Sequence, residues 1–288
     1  MANTYSLIIC NFTTFKKVAM NLKFYTPKNK LLQQLIEGYY FIVDNQKGGT
    51  EKYWTFPNNF CIVSINLNSR VLLSENSIKF FPSKKENIHT SVVHRYINPI
   101  EIYYKKPIHE LTIYFKPLGL NHFVKNIETL FLEKRMAGFS ATLANFETEM
   151  FKIFAEKDRE AQIQQLEKFW LLNFAEKDLE FMRNILKDIE SNMKIEAVAR
   201  KYDMSRKHLN TLFLRHLGKP PGEYQKIYRF RQAISNKSGI RSLTELAYEN
   251  YFYDQSHLIK DFRALTNSSP KSFFKNVDTH QKNVWLFI

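Results

Sequence analysis

Residues 198–224 read VARKYDMSRKHLNTLFLRHLGKPPGEY, and residues 246–273 read LAYENYFYDQSHLIKDFRALTNSSPKSF. The two stretches share one apolar frame. Ala199 maps to Ala247 and Met204 to Phe252 with an offset of 48 residues, whereas Phe213 maps to Phe262 and Pro221 to Pro270 with an offset of 49. One extra residue in the second turn accounts for the change. Each copy is predicted to fold as helix, tight turn and second helix, the arrangement that lays a helix in the DNA major groove. Two copies on one chain imply two groove contacts from a single polypeptide.

In the first copy residues 195–202 are expected to form the supporting helix, with Asp203-Met204 in the turn. Ser205 is placed to cap the next helix, its hydroxyl satisfying an orphan backbone N–H. Leu209, Leu212 and Phe213 fall on one face and should pack inward. Arg206, Lys207, Asn210, Thr211 and Arg215 are left for the outer surface. The side chains near the start of a recognition helix reach base edges, so Lys207, Asn210 and Thr211 are the expected base readers. Asn forms a bidentate pair with adenine, and Lys donates to guanine acceptors. Arg206 and Arg215 are assigned to phosphates, which position a helix without reading sequence. His208, beside a core leucine, is read as a packed or capping group.

Gly218 suits a helix end that needs positive φ, and Pro220-Pro221 opens the following helix. That helix, 223–235, carries Lys226, Arg229 and Arg231 and is expected to bridge the two units, its basic face near the DNA backbone. In the second copy residues 243–250 form the supporting helix and Asp254 caps a helix running to residue 265. Leu258, Phe262 and Leu265 should face inward. Gln255, Ser256, His257, Lys260 and Arg263 are the candidate DNA contacts.

This double repeat resembles the DNA-binding domain of AraC/XylS transcription regulators. The resemblance is carried by Ala247 five residues before Phe252, by Asp254-Gln255-Ser256-His257-Leu258, Phe262 and Ser269-Pro270. In the first half it is carried by Ala199, Ser205, Leu209, Phe213, Gly218, Pro221, Tyr224 and the stretch 229–233. It spans residues 178–275. It implies two helix-turn-helix units on a linker helix, both inserted into successive major grooves on one DNA face. Two positions depart from the family pattern. Tyr251 stands where a glycine is usual, and a bulky residue is expected to resist positive φ. Asn267 replaces another glycine, a milder change because Asn tolerates the left-handed region. The second unit is therefore expected to sit differently or to bind more weakly.

The 288 residues carry 42 Lys+Arg against 28 Asp+Glu, a net charge of +14 that favours a polyanionic partner. The charge is concentrated: residues 194–241 hold 12 basic and 3 acidic residues, whereas residues 242–275 hold four of each. The first unit is accordingly expected to dominate affinity. Cys10 and Cys61 have no paired spacing near histidine, which argues against a zinc site or a disulfide framework and fits a reducing cytoplasm. No apolar run approaches the roughly 18 residues needed to span a bilayer.

From about residue 24 to 117 the chain reads as short strands, separated by Pro, Asn, Gly and Ser clusters. Strands are predicted over 60–67, 71–73, 77–81, 101–104 and 110–115, after a short helical entry at 31–37. A small antiparallel barrel or sandwich fits this spacing. Beyond Leu118 the period turns helical over 121–132, 143–156 and 161–174. The stripe Ile163, Leu166, Trp170 and Leu171 fits either packing against the β domain or a dimer seam. The expected fold is α+β: a β-rich barrel or sandwich with trailing helices over residues 1–175, then an all-α double helix-turn-helix domain over 176–288.

The β-rich part loosely resembles the sensor or dimerisation domains joined to such modules, through Phe56-Pro57-Asn58-Asn59 and Tyr114-Phe115-Lys116-Pro117-Leu118-Gly119-Leu120. Tyr39, Tyr40, Phe41, Trp54, Tyr103 and Tyr104 either line a pocket or fill the core. His89, His94, His109 and His122 lack metal-cluster spacing, so no metal or other cofactor is expected. The reading is a bacterial, cytoplasmic, sequence-specific transcription regulator and not an enzyme. Double-stranded DNA is its partner, with RNA polymerase, a small-molecule effector and a second copy in a homodimer left open. The alternative is a DNA-repair, alkyl-transfer protein using the same module. It would need a reactive cysteine, and neither Cys10 nor Cys61 has an evident activating neighbour.

Overall fold

A computed structural model describes residues 23–276 apart from 47, 75, 133–135, 138, 140–142, 144 and 238–241. Cys10 lies outside the described residues. The amino-terminal half runs β1 (Phe24–Tyr25), α1 (Lys30–Leu35), β2 (Ile36–Asp44), β3 (Thr50–Thr55), β4 (Cys61–Leu67), β5 (Ser69–Ser74), β6 (Ser77–Pro82), β7 (Ile88–Val93), β8 (Ile100–Lys105) and β9 (Ile108–Phe115). A 3₁₀ turn (Leu120–His122), α2 (Ile127–Leu132), β10 (Met136–Ala137), α3 (Phe146–Ala155) and α4 (Arg159–Leu172) follow.

The strands form two sheets, neither closed into a barrel. One has the order β1-β2-β9-β4-β7-β10 and the other β3-β8-β6-β5. Pairing is antiparallel throughout except that β6 runs parallel to β8, with Ile78 opposite Ile102. The all-antiparallel expectation is corrected there, because β7 crosses to the other sheet between them. The central strands are buried on both faces, and their side-chain alternation sorts residues between two cores. Val63, Ile65, Leu111, Ile113 and Phe115 face α3 and α4, packing with Met150, Ile163, Leu166 and Trp170. Ile62, Val93, Ile102, Tyr104 and Tyr114 face the other sheet. The apolar stripe of α4 is thus used in packing, and Leu171 also rests against this core.

Between the sheets the carboxyl of Glu110 is enclosed. It accepts from Tyr40 Oη (2.9 Å), Tyr104 Oη (2.5 Å) and Thr112 Oγ1 (2.7 Å). Burial pushes its pKa up. The adjoining cavity holds about 40 Å³, space for a water or two rather than for an effector of ordinary size. Tyr40 and Tyr104 line it, while Tyr39 points the other way and donates to buried Glu167 on α4 at 2.8 Å.

The carboxyl-terminal half is helical: α5 (Glu180–Glu190), α6 (Ile195–Lys201), α7 (Arg206–Leu217), α8 (Pro221–Asn236), α9 (Leu243–Glu249), α10 (Gln255–Thr266) and α11 (Pro270–Asn276). Its apolar residues separate into two small cores that share α8. Tyr224 joins Val198, Leu209 and Phe213 under α5–α7, and Ile227 and Phe230 join Leu246, Leu258 and Phe262 under α9–α11. Each core also draws on the β-rich half: Leu118 enters the first, and Phe56, with partly buried Trp54 packed beside it, enters the second.

Candidate nucleic-acid interface

In both units the recognition helix begins with a side-chain cap. Ser205 Oγ accepts the His208 amide at 3.1 Å, starting α7. Asp254 Oδ1 accepts the His257 amide at 2.7 Å, starting α10. The preceding turns each need one residue in the left-handed region: Asp203 at φ +49° and Tyr251 at φ +61°. Tyr251 therefore adopts the conformation a bulky residue should resist, so the two turns match despite the substitution. Gly218 (φ +69°) ends α7 and Asn267 (φ +55°) ends α10, as the sequence indicates.

With Leu209, Phe213 and Leu217 buried, α7 exposes Arg206, Lys207, Thr211 and Arg215, with Asn210 half-buried. Arg206 pairs with Glu196 at 3.1 Å in a solvent-exposed bridge that leaves it accessible. The Thr211 hydroxyl donates to the Lys207 carbonyl (3.0 Å), which leaves its methyl and the lone pairs of Oγ1 unused. His208 is exposed on the helix and supplies only its backbone amide to the cap, which corrects its reading as a packed side chain.

On α10, Gln255, Ser256, Lys260 and Arg263 are exposed. His257 is instead drawn inward. Its Nε2 lies 3.5 Å from Asp261 and its ring meets Phe252 edge-on.

On the linker helix, Arg229 lies 3.3 Å from the buried Asp261 carboxylate and over the Phe252 ring, and Lys226 stands 3.6 Å from the same carboxylate. Arg231 donates to the carbonyls of Pro57 (Nε, 2.7 Å) and Phe56 (Nη2). Burial lowers its pKa to about 10. Arg229 holds α8 to α10, and Arg231 holds α8 to the β-rich half.

Residues 198–276 match the model of a family described as a helix-turn-helix domain. The carboxyl-terminal region is an AraC-type helix-turn-helix domain. A domain of this type is a DNA-binding module. No curated protein matches the chain in sequence. Among solved structures, a singly substituted apo form of ToxT from Vibrio cholerae strain SCE256 is 15% identical, with 83% of this chain and 98% of that one covered and a TM-score of 0.38. A 1.65 Å structure of ToxT from Vibrio cholerae gives 14% identity, 80% and 99% coverage and a TM-score of 0.40. Likenesses at this level carry no functional weight.

The AraC-type domain is fastened to the β-rich half by the loop 56–59, which precedes β4. Phe56 is buried in the second unit's core, 5.2 Å from the Phe273 ring in an edge-to-face pair. Its carbonyl also accepts Tyr96 Oη at 2.6 Å, which holds the loop in place. Asn59 Nδ2 donates to the Tyr224 carbonyl (3.0 Å), and Lys219 Nζ donates to the Asn58 carbonyl (3.1 Å). Arg95 adds a two-point bridge to Glu223 at the start of α8, with nitrogen–oxygen distances of 2.8–3.1 Å. At Gly218 an added Cβ would lie 2.3 Å from His94 Nδ1. Beyond the Phe56-Pro57-Asn58-Asn59 motif nothing in the sequence marks this seam, since a basic residue on a helix looks alike whether it meets phosphate or a carbonyl.

Cys61 bears on the repair alternative. It is a free thiol beside this seam, and burial pushes its pKa up to about 12, the reverse of what a nucleophilic thiolate needs. Among the described residues there is no cluster of three or more metal-capable side chains, and no helix long and apolar enough to cross a membrane.

Proposed function

We propose that this chain is a sequence-specific regulator that sets α7 and α10 into successive major grooves of one duplex. The observation that carries the reading is the pair of side-chain-capped helices, each with a buried apolar face and a polar outer face, fixed on the shared helix α8. Lys207, Asn210 and the Thr211 methyl read bases in the first groove, and Gln255 and Ser256 in the second. Arg206 and Arg215, with Lys260 and Arg263, hold phosphates. Residues 1–175 form a regulatory half acting on residues 176–288. It acts through the 56–59 loop, because that loop touches α8 and the second unit's core together. A small-molecule effector, a second copy of the chain or RNA polymerase would bear on DNA binding by shifting this seam. The chain works beside the chromosome, in the cytoplasm of a bacterial cell, and has no catalytic role in this reading.

Selection of duplexes from a random library by the full-length protein, followed by titration against salt, tests the proposal. A defined bipartite site is expected. Arg206→Ala/Lys207→Ala should weaken binding more than Lys260→Ala/Arg263→Ala, since the first unit holds the positive charge. Recovery of no preferred sequence and no salt dependence would refute it.

A further inference from the structure

We infer that Tyr248, Tyr251 and Tyr253 form an uncharged collar that holds DNA phosphates around the second recognition helix. This rests on the DNA-binding reading and adds a site to it. The duplication supplies an internal comparison: Tyr248 occupies the position of Arg200, Tyr251 that of Asp203, and Tyr253 is the residue with no counterpart. The second unit has thus exchanged one cation and one anion for phenols and gained a third by insertion, and its net charge is zero.

The three side chains are 66%, 56% and 86% exposed, and none of their hydroxyls hydrogen-bonds to any described residue. Core packing does not explain them. Tyr251 moreover holds a left-handed backbone, a conformation disfavoured for every residue but glycine and, less so, Asn and Asp. The turn itself demands that backbone, as Asp203 shows in the first unit, so what the fold leaves unexplained is an exposed phenol there in place of Gly, Asn or Asp.

Placement fits. Tyr253 directly precedes the cap residue Asp254, Tyr251 lies in the turn, and Tyr248 sits on the last turn of α9. This is the end of a recognition helix that approaches base edges between two phosphate strands. A phenol donates one hydrogen bond to a phosphate oxygen, and its ring lies against deoxyribose. Being neutral, it displaces no condensed counterion, so its contribution to affinity is independent of salt.

The test uses full-length protein and the best duplex that wild type selects from a random library, titrated between about 50 and 200 mM salt. Y248F/Y251F/Y253F keeps the rings and the turn but removes the donors. It should lose affinity about tenfold at every salt concentration, with an unchanged slope of log K against log salt. K260A/R263A should flatten that slope by roughly 2. Tyr251→Asn adds a second readout: relief of strain should raise the urea midpoint while affinity falls. Wild-type affinity in the triple variant overturns the collar, as does a loss accompanied by a flattened slope, or a urea midpoint for Tyr251→Asn that fails to rise. If wild type selects no duplex, the underlying DNA-binding reading fails and the collar with it.

Discussion

Phe56→Ala is the sharpest test of how the two halves are joined. Phe56 belongs to the β-rich half, yet it is 2% exposed inside the core formed by Phe230, Phe262 and Phe273. Truncating a buried phenylalanine costs about 3–5 kcal/mol, and an edge-to-face aromatic pair contributes about 0.5–1.5 kcal/mol of that beyond area burial. The cost cannot be confined to one half, because the cavity opens under α11 while the missing side chain hangs from the loop before β4. Urea unfolding of the full chain, followed separately by tryptophan fluorescence and far-ultraviolet dichroism, should therefore show a loss of about 3 kcal/mol. Hydrogen exchange should rise both at residues 270–276 and at the 56–59 loop. A double-mutant cycle with Phe273→Ala isolates the ring pair. If the two substitutions add to within about 0.5 kcal/mol, or if Phe56→Ala costs under about 1 kcal/mol, the seam is not cohesive and the reasoning is wrong.

Further outcomes follow from particular residues. Ser205→Ala should cost about 1 kcal/mol in urea unfolding, and Asp254→Ala somewhat more, because its carboxylate also meets the positive end of α10. Gly218→Ala should destabilise by more than about 1 kcal/mol, being strained at φ +69° and crowded by His94, whereas Gly222→Ala, which meets nothing within 4 Å, should be neutral or stabilising by up to about 1 kcal/mol. Burial lowers the Lys219 pKa to about 8, with Glu223, Cys61 and Arg95 facing it. The unfolded chain then binds more protons than the folded one between about pH 8 and 10.5, so this residue makes stability rise with pH across that window. Subtracting the pH profile of Lys219→Met from that of wild type isolates the slope, and equal profiles would remove Lys219 from the account.

The helix-turn-helix frame is readable from the chain because it is local and duplicated. Capping residues, buried apolar positions and the left-handed helix ends all lie within a few residues of the elements they define. What escapes is what depends on distant partners. Arg229 and Arg231 sit on a helix whose basic face reads as phosphate-facing, but Asp261 and the 56–57 carbonyls lie far along the chain. Strand β2 escapes for a related reason. Its run Ile36 to Val43 is apolar almost throughout, since both of its faces are covered, and the alternation that marks a half-exposed strand is missing. The parallel β6–β8 pairing is equally silent, because nothing in either strand records which neighbour it meets.

The Phe56 insertion has a consequence for how such a chain can be rebuilt. A DNA-reading module is portable only if its core is sealed by its own residues, and here one stopper of that core is borrowed from the other half. A cut between α4 and α5 leaves Phe230 and Phe273 facing an opening. Grafting this reader onto a foreign sensor therefore requires carrying the stopper along, or rebuilding the socket it leaves.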